Sequence, residues 1–172
     1  MIITGNLNEL DSEFLNKNLI DNIPFAWTNT LVGERNSYNP GGLHVIIDKG
    51  KILSPLYNIV NPYFQKIFAK HNLNFNKYLR IRYFMQPDIK VSKEYKHDQI
   101  HIDDVDQPNY SLVYYVNNAG GGTFIYDSEK PTQIKHKKGH YVIFKGNIKH
   151  AGKISQNQTT RAVINVNFSI ND

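Results

Sequence analysis

The sequence predicts a mainly β fold, a sandwich or barrel with two helices packed against its outside. From about residue 77 onward, segments rich in Val, Ile, Tyr and Phe alternate with turns rich in Gly, Pro, Asn and Asp. Six segments are predicted as strands: KYLRIRYFMQ, IHIDD, YSLVYYVNN, GTFIYD, GHYVIFKG and RAVINVNFSI. No repeat or linker divides the chain. We therefore expect one domain over residues 1–172, with helical support and loops over 1–76 and the β core over 77–172.

Both predicted helices lie in the first half of the chain. The first, in LDSEFLNKNLIDNI, has Asp11 or Ser12 as its cap and repeats apolar residues at helical spacing: Leu10, Phe14, Leu15 and Leu19. The second, in SPLYNIVNPYFQKIFAKHN, has Ser54 as its cap and Pro55 at its first helical position. Pro62 lies within this segment, so we expect it to kink or split the second helix.

Composition excludes several classes of protein. The chain has no Cys, so disulfides, thiolate metal sites and cysteine nucleophiles are ruled out. The net charge is +5, but the lysines are scattered and KHKKGH at 135–140 is predicted as a turn, which disfavours a nucleic-acid partner. No segment has the pattern of a secretory signal or a membrane span, so we expect a cytoplasmic protein of a bacterium or phage-infected cell with no membrane partner. The oligomeric state stays open.

Histidine and aspartate residues are concentrated in YKHDQIHIDDVD, residues 95–106. If IHIDD is a strand, His101 and Asp103 point to the same side because side chains alternate with a period of two. His97 is interpreted as an exposed loop residue. A metal ion needs a third ligand, and the candidates are His44, His71, His97, His136, His140 and His150. His150 is favoured because it lies between two predicted strands, and two histidines with one carboxylate form the facial triad typical of non-haem Fe(II) oxygenases.

These motifs resemble, in order, those of the Fe(II)- and 2-oxoglutarate-dependent dioxygenases, most closely the prolyl-4-hydroxylase-like branch. The segments that carry the resemblance are H-I-D at 101–103, SLVYYVN at 111–117, GGGTFIY at 120–126, GHYVIFKG at 139–146, KHAG at 149–152 and TRAVINV at 160–166. They span about residues 78–170, and the first third of the chain carries no matching motif. The resemblance implies a double-stranded β-helix, or jelly roll.

The resemblance also implies a role for each site residue. It assigns Fe(II) to His101, Asp103 and His150. It assigns the far carboxylate of 2-oxoglutarate to Arg161 and Tyr115, and places Tyr83 near the end of the co-substrate that chelates the metal. Arginine suits this task because its planar guanidinium can form two parallel hydrogen bonds to a carboxylate. On the predicted strand Arg161 shares a face with Val163, Asn165 and Asn167, and a polar inward face fits a ligand cavity.

The implied activity is hydroxylation of a C–H bond of a peptidyl proline or related amino acid, with O₂ consumed and succinate and CO₂ released. Ascorbate is expected as a supporting reductant, and the partner is a peptide, protein or small-molecule substrate. Arg80, Arg82 and the loop from Arg35 to His44 are candidates for the entrance. Two alternatives stay open. A zinc-type hydrolase with the same ligands leaves Arg161 without a role, and a non-catalytic jelly-roll binding module predicts no stabilisation by metal ions.

Overall fold

A computed structural model of the chain describes residues 2–20, 23–28, 40–87, 98–103, 109–153 and 160–171. Within these ranges the helices are α1 (Glu9–Ile20) and α2 (Leu56–Lys70). The strands are β1 (Ile2–Asn6), β2 (Ala26–Thr28), β3 (Gly41–Asp48), β4 (Lys51–Ile52), β5 (Phe75–Gln86), β6 (Tyr110–Tyr115), β7 (Gly122–Tyr126), β8 (Thr132–Lys135), β9 (His140–Lys145), β10 (Lys149–Lys153) and β11 (Arg161–Ile170).

The strands form two antiparallel sheets. The larger sheet has the order β1-β9-β6-β11-β5-β3-β2, with β4 paired to β3, and the smaller has the order β10-β7-β8. Neighbours in the large sheet are mostly distant in sequence, as in a jelly roll, where the chain crosses repeatedly between positions. The predicted mainly β, double-stranded β-helix fold is confirmed.

The description of residues 1–76 as helical support and loops is wrong. Four strands come from this region, and β1 pairs with β9 while β3 pairs with β5. Conversely, IHIDD forms no continuous strand among its described residues, since His101 makes only an isolated bridge to His150. Propensity fails in residues 1–76 because short strands such as β2 and β4 are held by pairing with β3 rather than by their own composition.

The two helices cover one face of the large sheet. This main core packs α1 and α2 against inward side chains of β5, β6 and β11, including Leu15, Leu19, Phe64, Ile81, Tyr114, Ile164 and Phe168. Helix α2 continues through Pro62, so the predicted split does not occur. Pro55, and not the predicted Ser54, is the N-cap residue of α2, although the Ser54 hydroxyl still accepts a hydrogen bond from the Leu56 amide at 3.2 Å.

Helix α1 begins at Glu9, two residues before Asp11, the first of the two residues predicted as its cap. Its first turn is capped by Asn8, whose Oδ1 accepts a hydrogen bond from the Asp11 amide at 2.8 Å. Ser12 is instead buried in the helix and donates to the Glu9 carbonyl at 2.9 Å. Of the predicted apolar repeat, Leu15 and Leu19 are buried, whereas Leu10 is 84% exposed. The helix therefore contacts the sheet along a narrower stripe than its sequence predicts.

The opposite face of the large sheet turns toward the small sheet. On β11, Ala162, Ile164 and Val166 belong to the helix-side core, so the alternate residues point the other way. A second apolar cluster on this side includes Val113, Tyr115, Ile125 and Val163. A cavity lies here, lined by residues of both sheets, and it contains the predicted site.

Candidate metal centre and co-substrate cavity

Three of the predicted site residues meet at one point. One ligand atom from each of His101, Asp103 and His150 lies within 4.8 Å of the others. His101 and His150 are held opposite each other by two backbone hydrogen bonds, from the His101 amide to the His150 carbonyl at 3.0 Å and the reverse at 2.8 Å. The Asp103 amide donates to the Gly146 carbonyl at 3.0 Å. Backbone hydrogen bonds thus hold the described residues of the His-x-Asp segment against residues 146–150, although only His101 forms a β-bridge.

Hydrogen bonds to backbone carbonyls fix the tautomer of both imidazoles. His101 Nδ1 lies 2.9 Å from the Gln99 carbonyl, and His150 Nδ1 lies 3.0 Å from the Ile148 carbonyl. Because a carbonyl only accepts, each Nδ1 carries the proton and each Nε2 keeps a free lone pair. His150 Nε2 is buried, lies 3.6 Å from Asp103 Oδ2, and has no hydrogen-bond partner among the described residues. Such an orphaned buried acceptor fits a metal ligand.

The Asp103 carboxylate is buried yet stays ionised. Burial alone would raise the pKa of Asp103, but His150, the Ser111 hydroxyl, Arg80 and Asn167 together hold this pKa below its usual range. Burial also lowers the pKa of His150, so its ring is neutral at pH 7. At that pH, Arg80 and Ser111 are therefore the main contacts that keep Asp103 charged.

This donor set fits a divalent iron ion. Two neutral imidazoles and one carboxylate, with no thiolate in the chain, match the facial ligation of non-haem Fe(II). The same three ligands also bind Zn²⁺, so the centre alone does not select between the two ions. The distinction between an iron oxygenase and a zinc hydrolase rests on Arg161, which lies in the same cavity.

Arg161 lies in the same cavity as His101 and His150. It is buried, its Nη2 donates to the Gly122 carbonyl at 3.2 Å, and its Nε has no partner among the described residues. A buried guanidinium with an unused donor is suited to an anionic ligand. The cavity is lined by Phe84, Asp98, His101, Val113, Thr123, His150, Gly152, Arg161, Val163 and Asn165.

Tyr115 lies on the cavity side of β6, in the cluster that also contains Val163. Its hydroxyl donates to Thr123 Oγ1 at 2.8 Å. Burial raises the pKa of Tyr115 to about 12, although Thr123 and the charge of Arg161 oppose the shift. The phenol therefore stays protonated and able to donate a hydrogen bond near the Arg161 end of the cavity.

The prediction for Tyr83 is wrong. Tyr83 lies on the helix side of β5, fully buried in the main core, where its hydroxyl donates to the Leu19 carbonyl at 2.7 Å. The neighbouring residue Phe84 lines the cavity instead. Strand alternation is the physical reason, since adjacent side chains of β5 point to opposite faces of the sheet.

Sequence reasoning missed or misplaced three further residues. Arg80, predicted at the entrance, instead forms an ion pair with Asp103 at 2.9 Å. Asp98, which the sequence marks only as one aspartate of the segment 95–106, is a buried residue of the cavity wall. His136, considered as a metal ligand, packs against Tyr115 with ring centroids 4.7 Å apart. His97 and Asp104 lie outside the described residues.

Comparisons with known proteins agree with this geometry. Residues 89–169 match the family model of the 2OG-Fe(II) oxygenase superfamily. This match covers the proposed ligands and Arg161 in the predicted order. Over residues 89–169 the chain is thus similar to the 2OG-Fe(II) oxygenase superfamily, and it is an enzyme of the oxygenase class. The comparison with curated proteins found no match.

Solved structures share the fold at low sequence identity. A prolyl hydroxylase from Trichoplax adhaerens, in complex with a hypoxia inducible factor oxygen degradation domain peptide fragment, has 14% identity and a TM-score of 0.68, covering 97% of this chain and 82% of that one. A prolyl-4-hydroxylase from Pseudomonas putida has 12% identity and a TM-score of 0.61, covering 99% and 93%. The non-haem alpha-ketoglutarate-dependent epimerase SnoN from nogalamycin biosynthesis has 6% identity and a TM-score of 0.66, covering 98% and 76%.

None of the helices in the described part of the chain is long and apolar enough to span a membrane.

The superfamily's name specifies Fe(II) and 2-oxoglutarate, and the cavity joins a possible metal centre to a buried arginine. Neither a zinc hydrolase nor a binding module accounts for both features together.

Proposed function

We propose that this protein is an Fe(II)- and 2-oxoglutarate-dependent dioxygenase that hydroxylates a C–H bond of a peptidyl proline or a related amino acid. The observation that carries the proposal is the buried His150 Nε2, which has no hydrogen-bond partner in the described part of the chain and faces Asp103 Oδ2 at 3.6 Å in the cavity that also contains Arg161. We further propose that residues 1–172 form one oxygenase domain and that it acts in the cytoplasm of a bacterium or of a phage-infected cell.

In this proposal His101, Asp103 and His150 hold Fe(II) through the two Nε2 atoms and one carboxylate oxygen. The Gln99 and Ile148 carbonyls keep the two Nδ1 atoms protonated, which directs both lone pairs to the ion. With 2-oxoglutarate and O₂, the bound iron supplies the oxidising chemistry that releases succinate and CO₂. The protein's part is to fix the ligands and to keep bulk water from the cavity.

Arg161 and Tyr115 receive the far carboxylate of 2-oxoglutarate. Arg161 supplies the positive charge and an Nε donor that has no partner among the residues the structure describes, and Tyr115 supplies a phenol that burial keeps protonated. Val113 and Val163 form apolar wall between this end and the metal centre, which suits the methylene groups of a five-carbon diacid.

The substrate class is inferred from similarity of fold. Prolyl hydroxylases are among the solved structures with this architecture, and one of them is in complex with a peptide. An extended peptide or a free amino acid is the corresponding substrate here, and ascorbate is proposed as a supporting reductant. Panels of proline-containing peptides and free amino acids, analysed for a gain of one oxygen atom by mass spectrometry, test this part.

The activity itself is tested by succinate formation from 2-oxoglutarate in the presence of Fe(II) and ascorbate. We expect turnover by the wild type and none by Asp103→Ala, which removes the only carboxylate of the ligand set. Equal turnover by both proteins would refute the iron centre. Hydrolysis that depends on Zn²⁺ without use of 2-oxoglutarate would favour the zinc enzyme.

A matched variant separates the co-substrate site from the metal site. Arg161→Gln removes the charge but keeps a polar side chain of similar reach. It should weaken 2-oxoglutarate binding to the Mn(II)-loaded protein by about 100-fold, the equivalent of about 2.7 kcal/mol. Mn(II) binding alone should be unchanged, since Arg161 is not a proposed ligand. If Mn(II) affinity fell to the same extent, Arg161 would have only a structural role.

A further inference from the structure

Three polar side chains form a row across the large sheet beneath Asp103. In the strand register, Asn167 of β11 lies directly opposite Arg80 of β5 on one side and Ser111 of β6 on the other. Directly opposed residues on one face of a sheet lie close enough for their side chains to interact. Asn167 and Ser111 are fully buried, and the side chains of Arg80 and Asp103 are 18% and 3% exposed. Such a buried polar row is unusual in a sheet interior, where apolar residues are expected.

These side chains close a ring of hydrogen bonds with Asp103. Arg80 Nη2 donates to Asp103 Oδ1 at 2.9 Å, and Arg80 Nε donates to Asn167 Oδ1 at 2.9 Å. Asn167 Nδ2 donates to Ser111 Oγ at 3.0 Å, and Ser111 Oγ donates to Asp103 Oδ2 at 2.5 Å. Each of the four residues is thus hydrogen-bonded to two others in the ring.

The arginine sets the direction of every bond in this ring. A guanidinium has only donors, so it obliges Asn167 to present its oxygen to Arg80 and its amide nitrogen to Ser111. Ser111 accepts that amide proton and so directs its own hydroxyl proton at Asp103. Both carboxylate oxygens are therefore fixed by donors whose orientation depends on Arg80.

We infer that Arg80 is a positioning residue for the metal centre, which holds Asp103 so that a divalent metal ion binds through Oδ2 alone. The inference rests on the proposed function, because it takes Asp103 as a ligand. Oδ1 accepts from Arg80 Nη2 at 2.9 Å, whereas Oδ2 is the oxygen that faces His150 Nε2 at 3.6 Å; Asn165 Nδ2 lies 3.4 Å from both oxygens. With Oδ1 held by the guanidinium, the carboxylate would offer a metal ion only Oδ2, which keeps a second lone pair beside the hydrogen bond from Ser111.

Two physical effects of Arg80 on metal binding have opposite signs. As a nearby positive charge it repels a divalent cation, so its removal would tighten metal binding if charge alone mattered. As the origin of the ring it pre-orients the carboxylate, so its loss would weaken metal binding. Outer contacts that orient metal ligands typically contribute about 10- to 100-fold in affinity. The ring geometry leads us to expect that orientation dominates.

The decisive measurement is Mn(II) affinity, by calorimetry or by electron paramagnetic resonance of free Mn(II), without co-substrate or turnover. Arg80→Lys keeps the charge but lacks the two linked donors at Nε and Nη2. Arg80→Met removes the charge as well, and Asn167→Ala opens the ring but leaves Arg80 in place. All three variants should bind Mn(II) at least about tenfold more weakly than the wild type. Co(II) absorption spectra should also change, because the ligand geometry changes.

Arg82→Met is the matched control. Arg82 lies on the same face of β5 but outside the ring, and its guanidinium is 3.8 Å from Asp48. The Arg82→Met variant should bind Mn(II) no more weakly than the wild type, because Arg82 acts on Asp103 through its charge but makes no hydrogen bond in the ring. Far-UV circular dichroism and thermal melting of the metal-free proteins identify any variant that fails to fold. The inference is then judged on the variants that do fold. Asn167→Ala and Arg80→Lys are the least disruptive of the three substitutions.

The outcomes separate the two proposals. If the wild type and Asp103→Ala show the same Mn(II) affinity, so that the triad binds no divalent metal, the proposed function fails. If the wild type binds Mn(II) but folded Arg80→Lys and Asn167→Ala bind it equally well, the positioning role is refuted while the function stands. Tighter binding by Arg80→Met, or an equal loss in Arg82→Met, would also refute the positioning role.

Discussion

His136 should make the stability of this protein depend on pH between pH 7 and pH 4.5. Its side chain is buried beside the Tyr115 ring, and its Nε2 lies 3.1 Å from Asn117 Oδ1. Burial and the charge of Arg161 lower the pKa of His136 to about 3, although a hydrogen bond from the ring to Asn117 opposes the shift. Asn117 Oδ1 also accepts from the Ala162 amide, so His136 Nε2 is the donor and the neutral ring is the form that fits.

The sign and size of the effect follow from proton linkage. In the unfolded chain a histidine takes up a proton near pH 6.5, whereas folded His136 stays neutral until about pH 3. The unfolded state therefore binds more protons in this range, and stability falls as the pH is lowered through 6.5. Between pH 7 and pH 4.5 the loss amounts to about 2.5 kcal/mol of unfolding free energy from this residue.

Urea unfolding at pH 7 and pH 4.5, for the wild type and His136→Gln, measures this loss. Glutamine keeps an amide donor for Asn117 but cannot be protonated, so the variant should lose less stability on acidification by roughly that amount. Contributions from other titrating groups, including His71, His140 and His150, occur in both proteins and cancel in the difference. Equal acid sensitivity in the two proteins, or an NMR titration of His136 near pH 6.5, would refute the reasoning.

Two further substitutions test the placement of residues around the cavity. Tyr83→Phe should lower the unfolding free energy by about 1 kcal/mol, because the hydrogen bond to the Leu19 carbonyl is lost. The same variant should bind 2-oxoglutarate as the wild type does. Weaker co-substrate binding in calorimetry would show that Tyr83 contributes to the cavity after all. Gly152→Ala should weaken 2-oxoglutarate binding about tenfold with Mn(II) affinity intact, since a Cβ at this position would lie 2.3 Å from Asp98 Oδ2 and 3.2 Å from an Arg161 nitrogen. Unchanged 2-oxoglutarate affinity would mean that both side chains move aside without cost.

The order of motifs along the chain was sufficient to predict the family, the fold and the convergence of His101, Asp103 and His150. Period-two alternation also predicted correctly that Arg161, Val163 and Asn165 share the cavity side of β11. The same alternation places Tyr83 on the face of β5 that carries Ile81, opposite the face that carries Arg80. The wrong position of Tyr83 came from the family resemblance, and the alternation of the strand already contradicts it.

Other features depended on contacts between distant segments. The sequence marks Asn167 and Ser111 only as polar residues in predicted strands. Their place in a ring with Arg80 and Asp103 depends on the register of β5, β11 and β6, and residues that are neighbours across strands can be 87 positions apart in the chain. The strands of the first 76 residues likewise depend on pairing with β5 and β9.

The sequence by itself determined which chemical groups this protein carries and which of them share a face of a strand, because both follow from residue identity and local alternation. Only the tertiary structure decided which face is inward, which oxygen of Asp103 faces His150, and why Arg80 lies behind that carboxylate rather than at an entrance. Those features are set by strand pairing and by the burial of charge, which are properties of the packed sheets and not of any single segment.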